Sequence, residues 1–454
     1  MNPKSPSKSL GIFSIILITT VSVDSIRNLP AAAAEYGVAS IGYYLMAGIL
    51  FLIPAALCAA DLSARFDEPG GIYLWVKTAL GKKIGFLAIW LQWAENVFWY
   101  PNVIILSITP LLYLIEPSLV DSKPFITLLS IIYFWFLTWI NLRGLSITIN
   151  ISNFFTVIGL FIPMLLISLA GAYWLYMDYP WAVNSSSWLD THHSLSYSFG
   201  ALSTIMVSFL GVEIATIHSN EVQNPRQSMP KALMISCFII FITQALGAFS
   251  VSIIVPEVTY SLGLLQMFDI FLHKISLHWL LPGVIILIVL GFFAAILNWI
   301  IAPTKGLLFA LKDIGVGHRF WHENKQGAPV ILLNGQALFV SLLSLLFLAF
   351  NTDQAIFILL SSTTSLYMVM YCLMFLSLYK LRNYKPERSI LPRPSITLPL
   401  IVGVGFTVSL LLFCSIFFTG EHLSQDHYLI YSAALILFIF AIIVYPFYFL
   451  KDTK

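Results

Sequence analysis

When the apolar segments of this chain are laid out as twelve membrane spans, twenty of its 23 Lys and Arg residues fall on one side. A bilayer core takes about 20 apolar residues per helix. The spans fall at about 10–35, 39–63, 84–114, 124–142, 149–175, 197–221, 230–255, 280–303, 330–350, 354–379, 397–419 and 428–450. With the N-terminus inside, Lys4, Lys8, Arg65, Lys77, Lys82, Lys83, Arg143, Arg226 and Lys231 are cytoplasmic. So are the basic residues of 304–329, those of 380–393, and Lys451 and Lys454. Lys123 and Lys274 lie outside, and Arg27 lies within a span. Cytoplasmic loops collect Lys and Arg, so this orientation is expected and its inverse is rejected.

Composition excludes the soluble alternatives. Charged residues make up 10% of the chain, 59% is hydrophobic, and mean hydropathy is +0.89. A soluble domain carries about 25% charged residues. A net charge of +2, spread over short separated loops, gives no continuous basic patch and no nucleic-acid partner. Cys58, Cys237, Cys372 and Cys414 stand alone in apolar stretches, as core residues and neither disulfides nor ligands. Lys4 and Lys8 precede a full span without a small-residue cleavage site, so no cleaved signal is expected. The longest connections, 64–83, 176–196, 256–279 and 304–329, leave no room for a soluble domain. The third can hold a short surface helix from Tyr260 to His273.

Charges inside spans are costly and usually functional. Four stand out: Asp24 and Arg27 in span 1, Glu95 in span 3 and Glu213 in span 6. Span 1 is dense in Thr, Ser, Asp and Asn between Thr19 and Asn28, and such side chains compete for backbone hydrogen bonds. Pro30 then removes a donor and clashes with the carbonyl of Ile26. Span 6 carries Gly211 beside Glu213. Unwound backbone at membrane depth is tolerated around a cavity. Interrupted first and sixth spans open two successive groups of five, which points to an inverted-repeat transporter with its site at the breaks. A plain proline kink, a structural glutamate and mutual neutralisation of Asp24 by Arg27, three residues on, are the structural alternatives.

Several segments resemble the amino acid–polyamine–organocation superfamily, and within it the glutamate/γ-aminobutyrate antiporter branch. They are NLPAAAAEYG (28–37), PGGIYLWVKTALG (69–81), SFLGVE with NEVQNPRQSMPKA (208–232), and NWIIAPTKGLLFALKDIG (298–315) followed by NKQGAPV (324–330). The resemblance implies an all-α integral membrane fold of 12 helices. It would be a five-plus-five inverted repeat of LeuT-like type with broken helices 1 and 6, plus two C-terminal helices. Residues 1–454 would form one transporter domain, with a first repeat at about 10–175, a second at about 197–379 and extra helices at about 397–450. It implies alternating access and substrates held between helices 1, 3, 6, 8 and 10. By motif position Val21, Ser22, Val23, Asp24 and Ser25 match the unwound substrate stretch, and Gly211, Val212 and Glu213 match the helix-6 motif. Trp299 matches a gating Trp, and Ser361 or Ser362 a helix-10 hydroxyl.

The chain departs from the pattern at Val23, Asp24 and Ser25, where many relatives carry Gly-Ser-Gly. Asp24 would repel a carboxylate, so either Arg27 neutralises it or the site prefers an amine. The helix-6 aromatic gate falls on Val207, which leaves Phe209, followed by Leu210, as the nearer candidate. Relatives of the acid-resistance branch carry a C-terminal plug. This sequence stops four residues past the last span, so plug-based pH gating is not expected.

Broken half-helices suit an amino acid. Free amides at one end attract a carboxylate, and free carbonyls at the other attract an ammonium. Gln92, Glu95 and Asn96 share one face of span 3 and could read the substrate side chain or serve as interhelical glue. Arg27, Glu213 and Trp299 are the gating or proton-coupling candidates. His192 and His193 have no third ligand at sensible spacing and read as a solvated loop, so no metal and no cofactor are expected. Motifs of an intramembrane enzyme and the output domain of an amino-acid sensor are missing from the sequence. The expectation is therefore secondary transport of amino acids or related amines across the bacterial inner membrane, with both termini cytoplasmic. Exchange is preferred, and proton-coupled uptake is the alternative. The expected partners are the small-molecule substrate and the lipid bilayer; homo-oligomerisation stays open.

Overall fold

The computed structural model describes residues 10–24, 26–66, 68, 70–182, 202, 205–259, 261–350, 352–391, 396–415 and 425–450. Among them helices dominate, and β pairing is limited to two isolated bridges. Among the described residues nine helices are long and apolar enough to cross a membrane, and Ile12–Val23 and Leu435–Phe449 are shorter apolar helices.

In chain order the helices are α1 (Ile12–Val23), α2 (Asn28–Tyr36), α3 (Ser40–Ala47), α4 (Ile53–Arg65), α5 (Ile72–Leu80), α6 (Lys82–Ile115) and α7 (Lys123–Leu142). There follow α8 (Leu145–Thr156), α9 (Ile162–Tyr176), α10 (Pro225–Ile254), α11 (Gly263–Lys274), α12 (Leu281–Ile314), α13 (Val330–Ser344) and α14 (Leu346–Ala349). The last three are α15 (Thr352–Lys380), α16 (Thr397–Ser415) and α17 (Gln425–Phe449).

Polarity is turned inside out relative to a soluble fold. Leu128, Ile132, Phe136 and Trp139 repeat along α7 and are all exposed, while Thr127, Ser130, Thr138 and Asn141 of the same helix are buried. A lipid-facing surface accounts for that distribution, because polar side chains are costly against hydrocarbon and turn to the bundle interior.

Two prolines re-register their helices. Pro54 and Pro163 each follow a π turn, Gly48–Leu52 and Val157–Phe161. A proline cannot bond to the carbonyl four residues back and its ring clashes there. The ladder widens instead: Ile53 donates to Gly48 and Ile162 to Val157, five residues back. The second π turn also holds a close helix crossing. A Cβ on Gly159 would collide with the backbone of α12 around Gly291, and one on Gly291 with Gly159. Small residues allow such backbone approach.

The two longest helices, α6 and α12, have 34 residues each, about 51 Å at helical rise. That exceeds the roughly 30 Å hydrocarbon core. α6 packs most extensively on α12 and α15, and these three helices position the polar centre described below.

The basic end of the molecule contains more structure than the sequence indicates. α5 fills part of the expected 64–83 loop, and Tyr73 and Lys77 both donate to Asp313 at the end of α12, at 2.5 and 2.6 Å. Arg65, assigned above to a cytoplasmic loop, is fully buried. It pairs with Asp61 and donates to the carbonyls of Leu381 (2.7 Å) and Tyr384 (2.9 Å) and to Ser389 (3.0 Å). Asp61 in turn accepts from the Ser389 hydroxyl at 2.7 Å and the Ile390 amide at 2.9 Å. The α4 terminus thereby holds the segment that follows α15. At the opposite end, α11 coincides with the short surface helix expected at 260–273.

Candidate functional site

The first apolar segment is interrupted between Val23 and Asn28. The Asp24 amide still bonds to the Thr20 carbonyl at 2.6 Å, but its own backbone is extended (φ −68°, ψ 105°). Helix resumes at Asn28, so Pro30 occupies the first turn of α2. Amides there have no intrahelical acceptor in any case, so a missing N–H is harmless. The proline therefore belongs to the start of the second half-helix and is not the cause of the break. The polar stretch before it, ending in Asp24, is where the helix stops.

The second interruption runs through Ser208–Glu213 as successive turns, followed by a 3-10 helix over Ile214–Glu221. Gly211 sits at φ +100°, and a Cβ there would lie 2.5 Å from the Trp299 ring. Both the backbone conformation and the space require glycine. At the basic end the two segments meet again: Leu10 pairs with Val222, and the Gln223 amide donates to the Leu10 carbonyl at 2.9 Å.

Trp299 of α12 lies between the two breaks and is buried. Its indole N–H donates to the Ser22 carbonyl at 2.9 Å. That carbonyl belongs to the last turn of α1, where the helix supplies no further donors. The ring also packs on Trp99 of α6 (centroids 5.7 Å) and edge-on to Tyr367 of α15 (6.3 Å).

Glu213 collects donors from two helices. Tyr367 and Tyr371 of α15 donate to its two carboxylate oxygens at 2.6 and 2.7 Å, and Gln92 of α6 donates at 2.7 Å. The Tyr371 hydroxyl also accepts from the Gly211 amide at 3.0 Å, so one tyrosine fixes both the turn and the acid. On α6, Asn96 donates to the Glu95 carboxylate and the Gln92 carbonyl. Thr363 of α15 reaches the Glu95 carbonyl at 3.3 Å. The side-chain oxygens of Gln92 and Asn96 are buried without a hydrogen-bond donor.

Asp24 and Arg27 do not pair. Asp24 accepts from Thr243 (2.6 Å) and Gln244 (2.7 Å) of α10, and Tyr44 donates to Gln244 at 3.3 Å. The Arg27 guanidinium lies over the Trp99 ring at 4.6 Å, within electrostatic reach of Glu95. Arg27 also lines a narrow crevice with Pro30, Leu106, Leu264, Ile285 and Phe292, at the α11 end of the molecule.

Of the residues singled out from sequence, Ser22, Gln92, Gly211, Glu213 and Trp299 are joined by these contacts, and Glu95 and Asn96 extend the same polar face. Val21, Val23 and Leu210 are buried beside the breaks, and buried Phe209 packs edge-on to Tyr44 at 5.8 Å. Ser361 is buried on α15, and Thr363 on the same helix makes the contact to α6. Ser25, His192 and His193 lie outside the described residues. Tyr367, Tyr371, Thr243, Gln244, Tyr44 and Trp99 were not anticipated. Tyr367 and Tyr371, four apart in an apolar span, and the adjacent polar pair Thr243–Gln244 in another, were the available signals.

Comparison with known proteins agrees with this architecture. Residues 10–442 match the family model described as amino acid permease. An uncharacterised transporter of Legionella pneumophila is 35% identical over 405 residues, 88% of this chain and 87% of the relative. A glutamate/gamma-aminobutyrate antiporter of Lactococcus lactis is 26% identical over 469 residues, covering 98% of this chain and 92% of the relative. A probable agmatine/putrescine antiporter of Lactococcus lactis is 23% identical over 396 residues, 85% and 82% of the two chains.

Proposed function

Because the chain belongs to the amino acid permease family, we propose that it exchanges an amino acid for a related amine across the bacterial inner membrane by alternating access. The reading takes it as a twelve-span inverted repeat with both termini cytoplasmic, and places the substrate at the two breaks. One observation carries it: Trp299 is lodged against both interrupted segments, bonded to Ser22 at 2.9 Å and packed where only Gly211 leaves room. Along α12 Trp299 lies beyond Phe292, which lines the Arg27 crevice, toward the basic end, where a gate would sit.

The surrounding groups suit a zwitterion or a cation. The N-terminal end of α2 and the Arg27 guanidinium favour a carboxylate. Carbonyls at the end of α1, with Glu95 nearby, favour an ammonium. Glu213, held by Tyr367, Tyr371 and Gln92, would tie the second break to α15 and α6 and release it when substrate competes for those donors. The names of the Lactococcus lactis relatives, a glutamate/gamma-aminobutyrate antiporter and a probable agmatine/putrescine antiporter, support exchange as the mode. Three buried acids, Asp24, Glu95 and Glu213, favour proton-coupled uptake as the second reading.

The test is counterflow in proteoliposomes holding the purified chain. Glutamate, γ-aminobutyrate, agmatine, putrescine and a neutral amino acid would compete for uptake of one labelled substrate. Saturable competition by one acid–amine pair supports the reading. Equal indifference to the whole panel would refute it.

A further inference from the structure

Asp269 and His273 lie one turn apart on α11, and His278 follows on the short helix His278–Leu280 that leads into α12. The chain reverses between them. Ser276 adopts φ +59°, and the Leu277 amide bonds back to the Leu272 carbonyl at 2.8 Å. A non-glycine residue in that conformation is held there by its surroundings, and the reversal folds His278 back onto the helix. The two imidazoles stack with centroids 3.9 Å apart. Their Nε2 atoms lie 2.8 Å (His278) and 3.8 Å (His273) from the same Asp269 carboxylate oxygen. All three ligand atoms lie within 4.8 Å of one another.

The two Asp269–histidine separations bracket the ligand spacing of a metal polyhedron, and the stacked rings would swing apart about their side-chain torsions to aim both Nε2 lone pairs at one ion. Bonds of about 2.0–2.1 Å in a tetrahedral site put neighbouring ligand atoms about 3.4 Å apart, between the two distances observed. Two imidazoles and one carboxylate are a donor set suited to zinc and its neighbours and unlike the all-oxygen sets of calcium and magnesium. All three residues are solvent-accessible, which leaves a fourth position for water.

We propose that Asp269, His273 and His278 form a binding site for a divalent transition-metal ion of the zinc class, and that its occupancy clamps α11 to the start of α12. The consequence follows from what α11 touches. Gly263 is packed against Pro30 of α2, and Leu264 lines the crevice with Arg27 and Ile285. An ion joining Asp269 and His273 to His278 would fix the corner on which α11 pivots, and so restrict opening of that crevice. The second half of this inference rests on the transport reading above; the first half does not.

The experiment therefore has two arms on the full-length chain. In detergent, Zn2+ is titrated against a chelating indicator and Co2+ absorption reports coordination geometry. The expected result is one ion per chain with a tetrahedral Co2+ spectrum. Binding should weaken roughly tenfold or more in each of His273→Ala, His278→Ala and Asp269→Asn. Equal metal affinity in the native chain and the three variants would overturn the site. In proteoliposomes, Zn2+ on the α11 side should slow counterflow by the native chain and leave His273→Ala and His278→Ala unaffected. Counterflow by the native chain that is indifferent to saturating Zn2+ would overturn the clamp. Zn2+ binding that is lost in the three variants, together with no counterflow by the native chain even without Zn2+, would refute the transport reading and leave the metal site standing.

Discussion

The indole N–H of Trp299 donates to the carbonyl of Ser22 at 2.9 Å, so a side chain from α12 supplies the donor that the broken first segment lacks. The same ring occupies the space that Gly211 leaves vacant. Trp299→Phe would keep most of the packing and leave the Ser22 carbonyl without that donor, a loss of about 1–3 kcal/mol for a buried group. Counterflow is expected to fall about tenfold at unchanged membrane abundance, and further in Trp299→Ala. Native rates in both variants would remove the indole from the gate.

Glu213 should behave as part of one unit with Tyr371. Glu213→Gln offers fewer acceptor positions to the three donors converging on it, and hydrogen bonds to charged groups contribute about 1.5–3 kcal/mol each. Exchange should fall at least about tenfold while the protein stays folded in the membrane. Adding Tyr371→Phe to Glu213→Gln should then do less harm than Tyr371→Phe alone. Additive losses in that cycle would uncouple the pair.

Asp24 is predicted to couple to α10 and not to Arg27. Gln244→Leu removes one of its two donors, so the thermal midpoint in detergent should drop for Gln244→Leu and recover in part when Asp24→Asn is added. Asp24→Asn and Arg27→Ala should instead be additive within about 0.5 kcal/mol, as for sites without shared partners. Strong coupling between Asp24 and Arg27 would contradict the geometry.

The buried pair at the α4 terminus gives a stability prediction. Arg65→Ala strands Asp61 in a fully buried site, which costs about 3–5 kcal/mol. Arg65→Lys should rescue little, because an ammonium cannot reproduce the forked contacts to Leu381, Tyr384 and Ser389. Removing Asp61 and Arg65 together should be milder than Arg65→Ala. A double variant less stable than Arg65→Ala would show that the pair is not what holds the post-α15 segment.

Orientation is tested by labelling. Single cysteines at Gln326 and Asn383, at the basic end, should react with an impermeant reagent after permeabilisation alone. One at Leu277 should react in intact cells. Surface labelling of Gln326 in intact cells would invert the proposed topology.

Much of this was written in residue types. Apolar length gave the helical class, while Asp24 and Gly211 marked the places where the ladders stop. Glu213 and Trp299 were visible as a costly charge and as a motif position. What stayed hidden depends on long-range packing. The partner of Asp24 is 219 residues away on α10, whereas Arg27, its local neighbour on a helical wheel, is separated from it because the helix is unwound between them. Arg65 counted as a loop charge until burial put it against carbonyls more than 300 residues distant. Tyr367 and Tyr371 carry no charge, so their four-residue spacing in an apolar span was the one trace they left. The Asp269–His273–His278 cluster needs the reversal at Ser276, which spacing alone does not announce.

Labelled glutamate uptake into proteoliposomes, either empty or loaded with γ-aminobutyrate, tests exchange at the Trp299 site most directly. The native chain should take up glutamate rapidly when γ-aminobutyrate is inside and little when it is not, with the stimulated component reduced about tenfold in Trp299→Phe. Uptake that is equal in empty and loaded vesicles, driven by an imposed proton gradient and unaffected by Trp299→Phe, would contradict both the exchange mode and the site.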